Sequence, residues 1–392
     1  MNDAESLGRR RLLLGLLAGM AGSSLIPAMA SAAAVPCGSG AWPAWQSFLS
    51  RFAQEDGRIV DLSQEDRRST SEGQAYTMFF ALVANDPLMF DRALGWTRHN
   101  LCGNRPDLNL PAWLWGKSKS GQWGVIDGNS ASDADMWMAY ALLEGARLWR
   151  RAGLARAGLN LLQLIRKNEL VDLAGFGQMV LPGAQGFTRP DGALLNPSYL
   201  PLQLFRRFSW VDPKGPWAVL AQRSAALIRD SAPNGFSPDW IAWNGKAFVV
   251  DGDKGATGSY DAIRTYLWAG MLDPADPLRK DVLAALQGPV WLLRTQAGMA
   301  EKVNTRLGAA SGKAPAGFSA ALLPYLSALR QTGLADAQAK LVPAGGQPAY
   351  AQLSYYDMAL ILFGQGWFER RYRFASDGRL LPAWRTQCSA RN

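Results

Sequence analysis

Apolar residues recur at spacings of three and four through about a dozen stretches of this chain. They run through 42–54, 73–84, 87–101, 132–151 and 155–167, then 199–208, 216–230, 261–271, 276–295, 317–330, 334–341 and 351–363. That period lines the apolar side chains of each stretch along one face of an α-helix. Loops rich in Gly, Pro, Asn and Asp separate the stretches, and "NDPLMF" puts Asp86 at a cap with Pro87 at the first helical position. Only 176–181, "FGQMVL", and 246–250, "KAFVV", read as extended, and both as minor elements. The fold class is therefore all-α. A dozen helices in one domain suggest six helical hairpins closed into a ring, an (α/α)6 barrel. No repeat period of the solenoid kind runs through the chain.

The N-terminus stands apart from this pattern. Arg9, Arg10 and Arg11 precede an apolar run from Leu12, and the small-residue sites 28–30 and 30–32 follow it. This is the layout of a cleaved export signal, too short and too interrupted by Gly, Ser and Pro to span a bilayer. The adjacent arginines fit a twin-arginine signal, and an ordinary secretory signal fits equally well. We expect residues 1–32 to be the signal and 33–392 a single domain, periplasmic or secreted. No linker divides it, and no later apolar run is long enough to cross a membrane. The net charge of +9 is scattered, without basic runs interleaved with aromatics, so nucleic acid is not an expected partner.

Three cysteines, Cys37, Cys102 and Cys388, permit one bridge and one thiol in an oxidising compartment. Cys37 and Cys388 lie near the two ends, where a bridge would staple the termini, and Cys102 reads as a buried thiol. The single histidine, His99, leaves little for Ser-His-Asp chemistry or a His-ligated zinc site, and its place near a helix end suits a surface or capping role. No metal or cofactor is implied. Carboxylates are left to carry the chemistry.

Three acidic sites lie where helical patterns begin. Glu72, in "STSEGQAYTMFFAL", falls in a first turn, where the helix dipole alone accounts for an acid. Asp133 and Asp135 open the helix of "NSASDADMWMAYALLEGARLW"; Ser132 and Asp133 are competent caps, yet one cap needs one residue and the stretch offers several. Asp261 follows Tyr260 in "GSYDAIRTYLWAGM", with Arg264 one turn on, a spacing that a surface ion pair explains as well as a functional site does. Sixteen tryptophans complete the picture. Most belong to a large core, but Trp113 and Trp115 in "LPAWLWGK" sit in a loop-like context with Pro, Gly and Lys. Flat aromatic faces suit pyranose rings, and two carboxyls flanking a scissile bond are what glycoside hydrolysis requires.

The combination of "TSEGQAY", "ASDADMWMAYALL" and "SYDAIR" resembles glycoside hydrolase family 8, and within it the periplasmic endoglucanases encoded with bacterial cellulose synthase. "NPSYLP", "GFSPDW", "GFSAALLP" and "LFGQGW" extend the resemblance from 42–45 to 381–384. It implies an (α/α)6 barrel with a substrate cleft across one end and inverting hydrolysis of a β-1,4-glucan. It implies Glu72 as general acid, Asp261 as the base of much of the family, and Asp133 as a residue that binds the distorted sugar. Which aspartate serves as base differs among branches. Trp113, Trp115, Asp135, Tyr199, Tyr260 and Arg264 are implied substrate-binding residues, and the cellulose synthase complex an implied partner. Chitosan, xylan or mixed-linkage glucan are the competing substrates, a glucan-binding accessory protein the competing class, and a polysaccharide lyase a third.

Overall fold

Thirteen α-helices account for nearly half of the described residues, which are 42–385 apart from 297 and 346 in this computed structural model. The expected export signal, Cys37, Cys388 and their expected bridge lie outside the described residues.

In chain order the helices are α1 (Pro43–Phe52), α2 (Ser71–Ala84), α3 (Pro87–Asn100), α4 (Ser132–Trp149), α5 (Ala152–Asn168), α6 (Leu202–Val211) and α7 (Trp217–Ser231). There follow α8 (Ala262–Met271), α9 (Arg279–Ala285), α10 (Gly288–Thr295), α11 (Ala316–Ala328), α12 (Thr332–Ala339) and α13 (Tyr355–Phe368). Helices α2, α4, α6, α8 and α11 pack in succession, and α11 packs on α13. Phe363 of α13 closes the ring, stacking on Phe79 of α2 at 5.2 Å. Against these six lie α3, α5, α7, α9, α12 and α1, so the expected (α/α)6 barrel is the observed fold.

The sequence explains which helix takes which ring. In α2 every residue but Glu72 is buried, and α8 is buried throughout, as an apolar helix surrounded by others must be. α5 is buried on one stripe only and belongs outside. Aromatic side chains fill the barrel interior. The Phe363 ring reaches Trp137 of α4 at 5.1 Å and Trp268 of α8 at 5.0 Å. Fewer tryptophans than expected lie in the core: Trp45, Trp137 and Trp217 are among the largest fully buried side chains, whereas Trp123, Trp210 and Trp291 are exposed. Where α13 crosses α11, a Cβ built on Gly364 would lie 1.9 Å from the Ala320 carbonyl oxygen, so only glycine permits the approach.

Local expectations fare unevenly. Asp86 caps α3, accepting from the Met89 N–H at 3.0 Å, with Pro87 at the first position. Cys102 is a buried free thiol, and His99 is exposed in the last turn of α3. The stretch 276–295 is two helices, because the Gly288–Pro289 pair starts a new one and Gly288 packs edge-on to Phe236. Fourteen short strands occur among the described residues, far more than the two extended segments expected. They are too short to show the alternation that marks a strand. One set matters here: β1 (Ser69–Thr70) pairs with β2 (Leu114–Lys117), and β2 with β3 (Trp123–Asp127). The expected Trp113–Trp115 surface loop is thus largely strand. No helix among the described residues is long and apolar enough to cross a membrane.

Candidate active site

Inner helices α2, α4, α8 and α13 all begin at the same end of the barrel, and the predicted acids sit at those beginnings. β1 delivers Glu72. Thr70 ends the strand and caps α2, its Oγ1 accepting from the Gly73 N–H at 3.1 Å, which fixes Glu72 in the first turn. The Ser71 N–H bonds the Trp113 carbonyl at 3.0 Å, tying the same turn to the hairpin.

Arg264 joins the acids. One turn into α8 and buried, it donates from Nη1 to Glu72 Oε2 at 2.5 Å and to Asp133 Oδ2 at 3.2 Å, and from Nη2 to Asp261 Oδ1 at 2.7 Å. Nη1 also reaches the Tyr76 hydroxyl at 3.2 Å, and Nη2 the Ser198 hydroxyl at 3.3 Å. Glu72 and Asp261 keep 21% and 28% of their side chains exposed, whereas Asp133 keeps 3%. Two carboxyls therefore look outward and one lies beneath them.

Burial, then the neighbouring Glu72 charge, push Asp133 up to about 8, against the opposing pull of Arg264 and the Ala134 N–H. The site therefore favours the protonated form of Asp133 far more than water does. Burial works against the Arg264 charge, but Tyr76, Glu72, Tyr356 and Asp133 outweigh it and lift its pKa well above the ordinary value. The arrangement joins a buried carboxyl of raised pKa and a permanent cation in one network with two outward-facing acids, which is equipment suited to acid–base catalysis.

Asp261 is held by a residue that sequence reasoning passed over. Asp239 Oδ1 accepts from the Ser259, Asp261 and Ala262 N–H groups at 2.8, 3.1 and 2.8 Å. Burial and the Asp261 charge lift Asp239 to about 6 against those three bonds. Tyr76, Ser198 and Tyr356 also escape the sequence reading. Tyr76 carried a signal, since it stands four residues after Glu72 on the same helix face. Tyr356 gave none; it donates to the Tyr260 carbonyl across the chain.

The remaining predicted residues divide. Tyr199 lies at the cluster, its ring centroid 5.5 Å from the Arg264 guanidinium and 6.1 Å from Trp240. Tyr260 is exposed beside it and donates to Glu301 at 3.3 Å. Trp113 is half-buried at the base of the hairpin, level with Ser71. Trp115 is not an open platform: Arg58 covers its ring at 4.3 Å, Trp123 stacks on it at 5.4 Å and Trp96 meets it edge-on. Asp135 departs furthest from expectation. It is fully buried against Glu169, beyond reach of any ligand. The capping reading of Ser132 and Asp133 also fails, because Ala131 precedes α4 and no side chain caps it.

Comparison with known proteins agrees with this geometry. Residues 19–370 match the family described as Glycosyl hydrolases family 8. A protein from Xanthomonas axonopodis pv. citri named Endoglucanase is 58% identical over 383 residues, spanning 97% of this chain and 99% of that one. The structure of an endo-1,4-D-glucanase from Vibrio fischeri superposes with a TM-score of 0.81 at 39% identity, covering 88% of this chain and 99% of its own. That of the endo-beta-1,4-glucanase CMCax from Acetobacter xylinum gives 0.67 at 26% identity, covering 82% and 96%.

Proposed function

The chain belongs to glycosyl hydrolase family 8, and we propose that this glycoside hydrolase of the endoglucanase kind cleaves β-1,4-glucan by inverting acid–base hydrolysis. The observation that carries the mechanism is the Arg264 bridge, which holds Glu72 and Asp261 on separate nitrogens of one guanidinium. Glu72, protonated, donates to the leaving glycosidic oxygen as the C1–O bond breaks. Asp261 takes a proton from the water that attacks C1 on the opposite face. No covalent glycosyl intermediate forms. Asp133, buried below, hydrogen-bonds the sugar beside the scissile bond. Inversion requires room for the water, a carboxyl separation of about 6.5–9.5 Å, and a guanidinium lodged between the two acids is consistent with such spacing. We further infer that the enzyme acts outside the cytoplasm on glucan leaving the cellulose synthase complex. The layout of residues 9–32 and the motif resemblance support that placement.

The test is reducing-end release from carboxymethyl cellulose by the protein and by Glu72→Gln, with the anomer of the first product read by proton NMR. Activity in the wild type, loss in Glu72→Gln with cello-oligosaccharide binding kept, and an α-configured product are expected. A Glu72→Gln rate near that of the wild type would sink the assignment of the acid, and a β-product the inversion. Silence of the wild type on cellulose with turnover of xylan or chitosan would replace the substrate.

A further inference from the structure

The first turn of α4 carries more than Asp133. Asp135 is fully buried, and neither of its carboxyl oxygens meets an N–H or O–H donor. Its partner is Glu169, the residue that follows α5, likewise fully buried and with Oε2 lacking a donor. Glu169 Oε1 accepts from Ser130 Oγ at 2.5 Å, and that hydroxyl accepts from the Ala184 N–H at 3.0 Å. Glu169 thus grips the chain on both sides of Asp133, at Ser130 before it and Asp135 after it. The helix supplies no side-chain cap of its own, and Ser132 Oγ is unpartnered. The turn is held from outside.

Two carboxyls in contact in a dry interior hold one proton between them. With both ionised, like charges would face each other in a low dielectric. A single proton supplies the donor that the unpartnered oxygens need. The other groups facing the pair are Asp133 on the same helix, the Cys102 thiol from the segment after α3, and the Ser130 hydroxyl; none is a cation.

We propose that Glu169 is a positioning residue for the hydrolysis: through a proton shared with Asp135 and its bond to Ser130, it fixes the turn that presents Asp133 to the site. This rests on the reading of Glu72, Asp133 and Asp261 as the catalytic cluster. Burial raises Glu169 to about 7 and Asp135 well above its ordinary value, so the shared proton is lost on the alkaline side. Repulsion then loosens the turn, and turnover falls there.

The experiment compares kcat and KM from acid to alkaline pH for the wild type, Glu169→Gln and Glu169→Ala. The amide of Glu169→Gln donates to Asp135 at every pH. Its kcat at neutral pH should stay within about threefold of wild type, and its alkaline limb should move to higher pH. Glu169→Ala should lose on the order of tenfold to a hundredfold in kcat with KM little changed. An unmoved alkaline limb in Glu169→Gln, or wild-type kcat in folded Glu169→Ala, overturns the proposal. Should Glu169→Ala fail to fold, Glu169→Gln decides alone; its own failure to fold counts against the proposal, because the amide replaces the donor. Difference infrared spectroscopy of wild type against Glu169→Gln reads the protonated carboxyl directly, and absence of that band overturns the shared proton. A wild type inactive on every glucan, by contrast, would defeat the catalytic reading and leave the infrared result standing.

Discussion

Arg264 Nη1 lies 2.5 Å from Glu72 Oε2, so a residue of α8 holds the first turn of α2 across the mouth of the barrel. Its second terminal nitrogen holds Asp261 at the same time. Only a planar fork can serve two carboxyls in fixed directions; a lysine ammonium is a point charge on a flexible stem. Arg264→Lys should therefore lower kcat on carboxymethyl cellulose about a hundredfold, through misplacement of both acids. Removing the cation altogether, as in Arg264→Ala, leaves the part-exposed Glu72 and Asp261 without their shared donor and should cost about 1–3 kcal/mol of stability. Reducing-end assays and denaturant unfolding check the two numbers. A lysine variant within twofold of wild-type kcat would mean that the charge alone suffices.

Asp239 controls Asp261 through the backbone. One of its oxygens accepts from three consecutive-region N–H groups, those of Ser259, Asp261 and Ala262. Asp239→Ala leaves these donors without an acceptor and frees the start of α8. A loss of about tenfold to a hundredfold in kcat is expected, with stability lower by about 1–3 kcal/mol. Asp239→Asn keeps an acceptor oxygen and should retain most of both. Equal losses in the two variants would point to the Asp239 charge and away from its acceptor geometry.

Asp133 should make stability depend on pH in a direction opposite to that of a salt-bridged acid. Unfolded, it titrates near 3.8; folded, burial and Glu72 raise it to about 8. Between those values the folded protein keeps a proton that the unfolded chain has released. Stability therefore falls as pH rises from about 4 to about 8 and levels off above, with a limiting slope of about 1.4 kcal/mol per pH unit for one group. Asp133→Asn is neutral at every pH. It should lessen that slope, leaving the part due to Asp135, Glu169 and Asp239, and unfold at higher denaturant than wild type at pH 8 while losing turnover. Urea unfolding at several pH values checks the slope, and an unchanged slope refutes the raised pKa.

The helical ring was legible because long apolar stretches mark it, one-sided in an outer helix such as α5 and apolar nearly all round in inner helices such as α2 and α8, and the Asp86–Pro87 start because capping is local. The position of Glu72 in a first turn was legible for the same reason. Arg264 was not: its i, i+3 spacing from Asp261 describes a surface ion pair as well as the buried hub it forms, and nothing local shows that it reaches α2 and α4. Asp135 misled because residue type and proximity to Asp133 suggested the site, whereas its side chain faces Glu169, a pairing that depends on how α5 packs on α4. The covered face of Trp115 is not legible because Arg58 and Trp123, which occupy it, are distant in the chain or across a hairpin. In each case the missing information is tertiary.

Barrel closure offers a test with opposite signs at two glycines. A Cβ on Gly364 would meet the Ala320 carbonyl oxygen at 1.9 Å and its carbonyl carbon at 2.4 Å, both backbone atoms of α11 that cannot swing aside. α13 would have to move away from α11, disturbing the Phe363 contacts with Phe79, Trp137 and Trp268. Gly364→Ala should destabilise by roughly 1–3 kcal/mol or more. Gly333 lies exposed in the outer helix α12, and its Cβ would meet nothing within 4 Å. There alanine removes only the entropic weakness of glycine in a helix, so Gly333→Ala should stabilise by about 0.5–1 kcal/mol. Urea midpoints of the two variants decide. Parallel shifts would mean that helix propensity dominates at both sites, and that α11 and α13 do not approach as closely as the barrel requires.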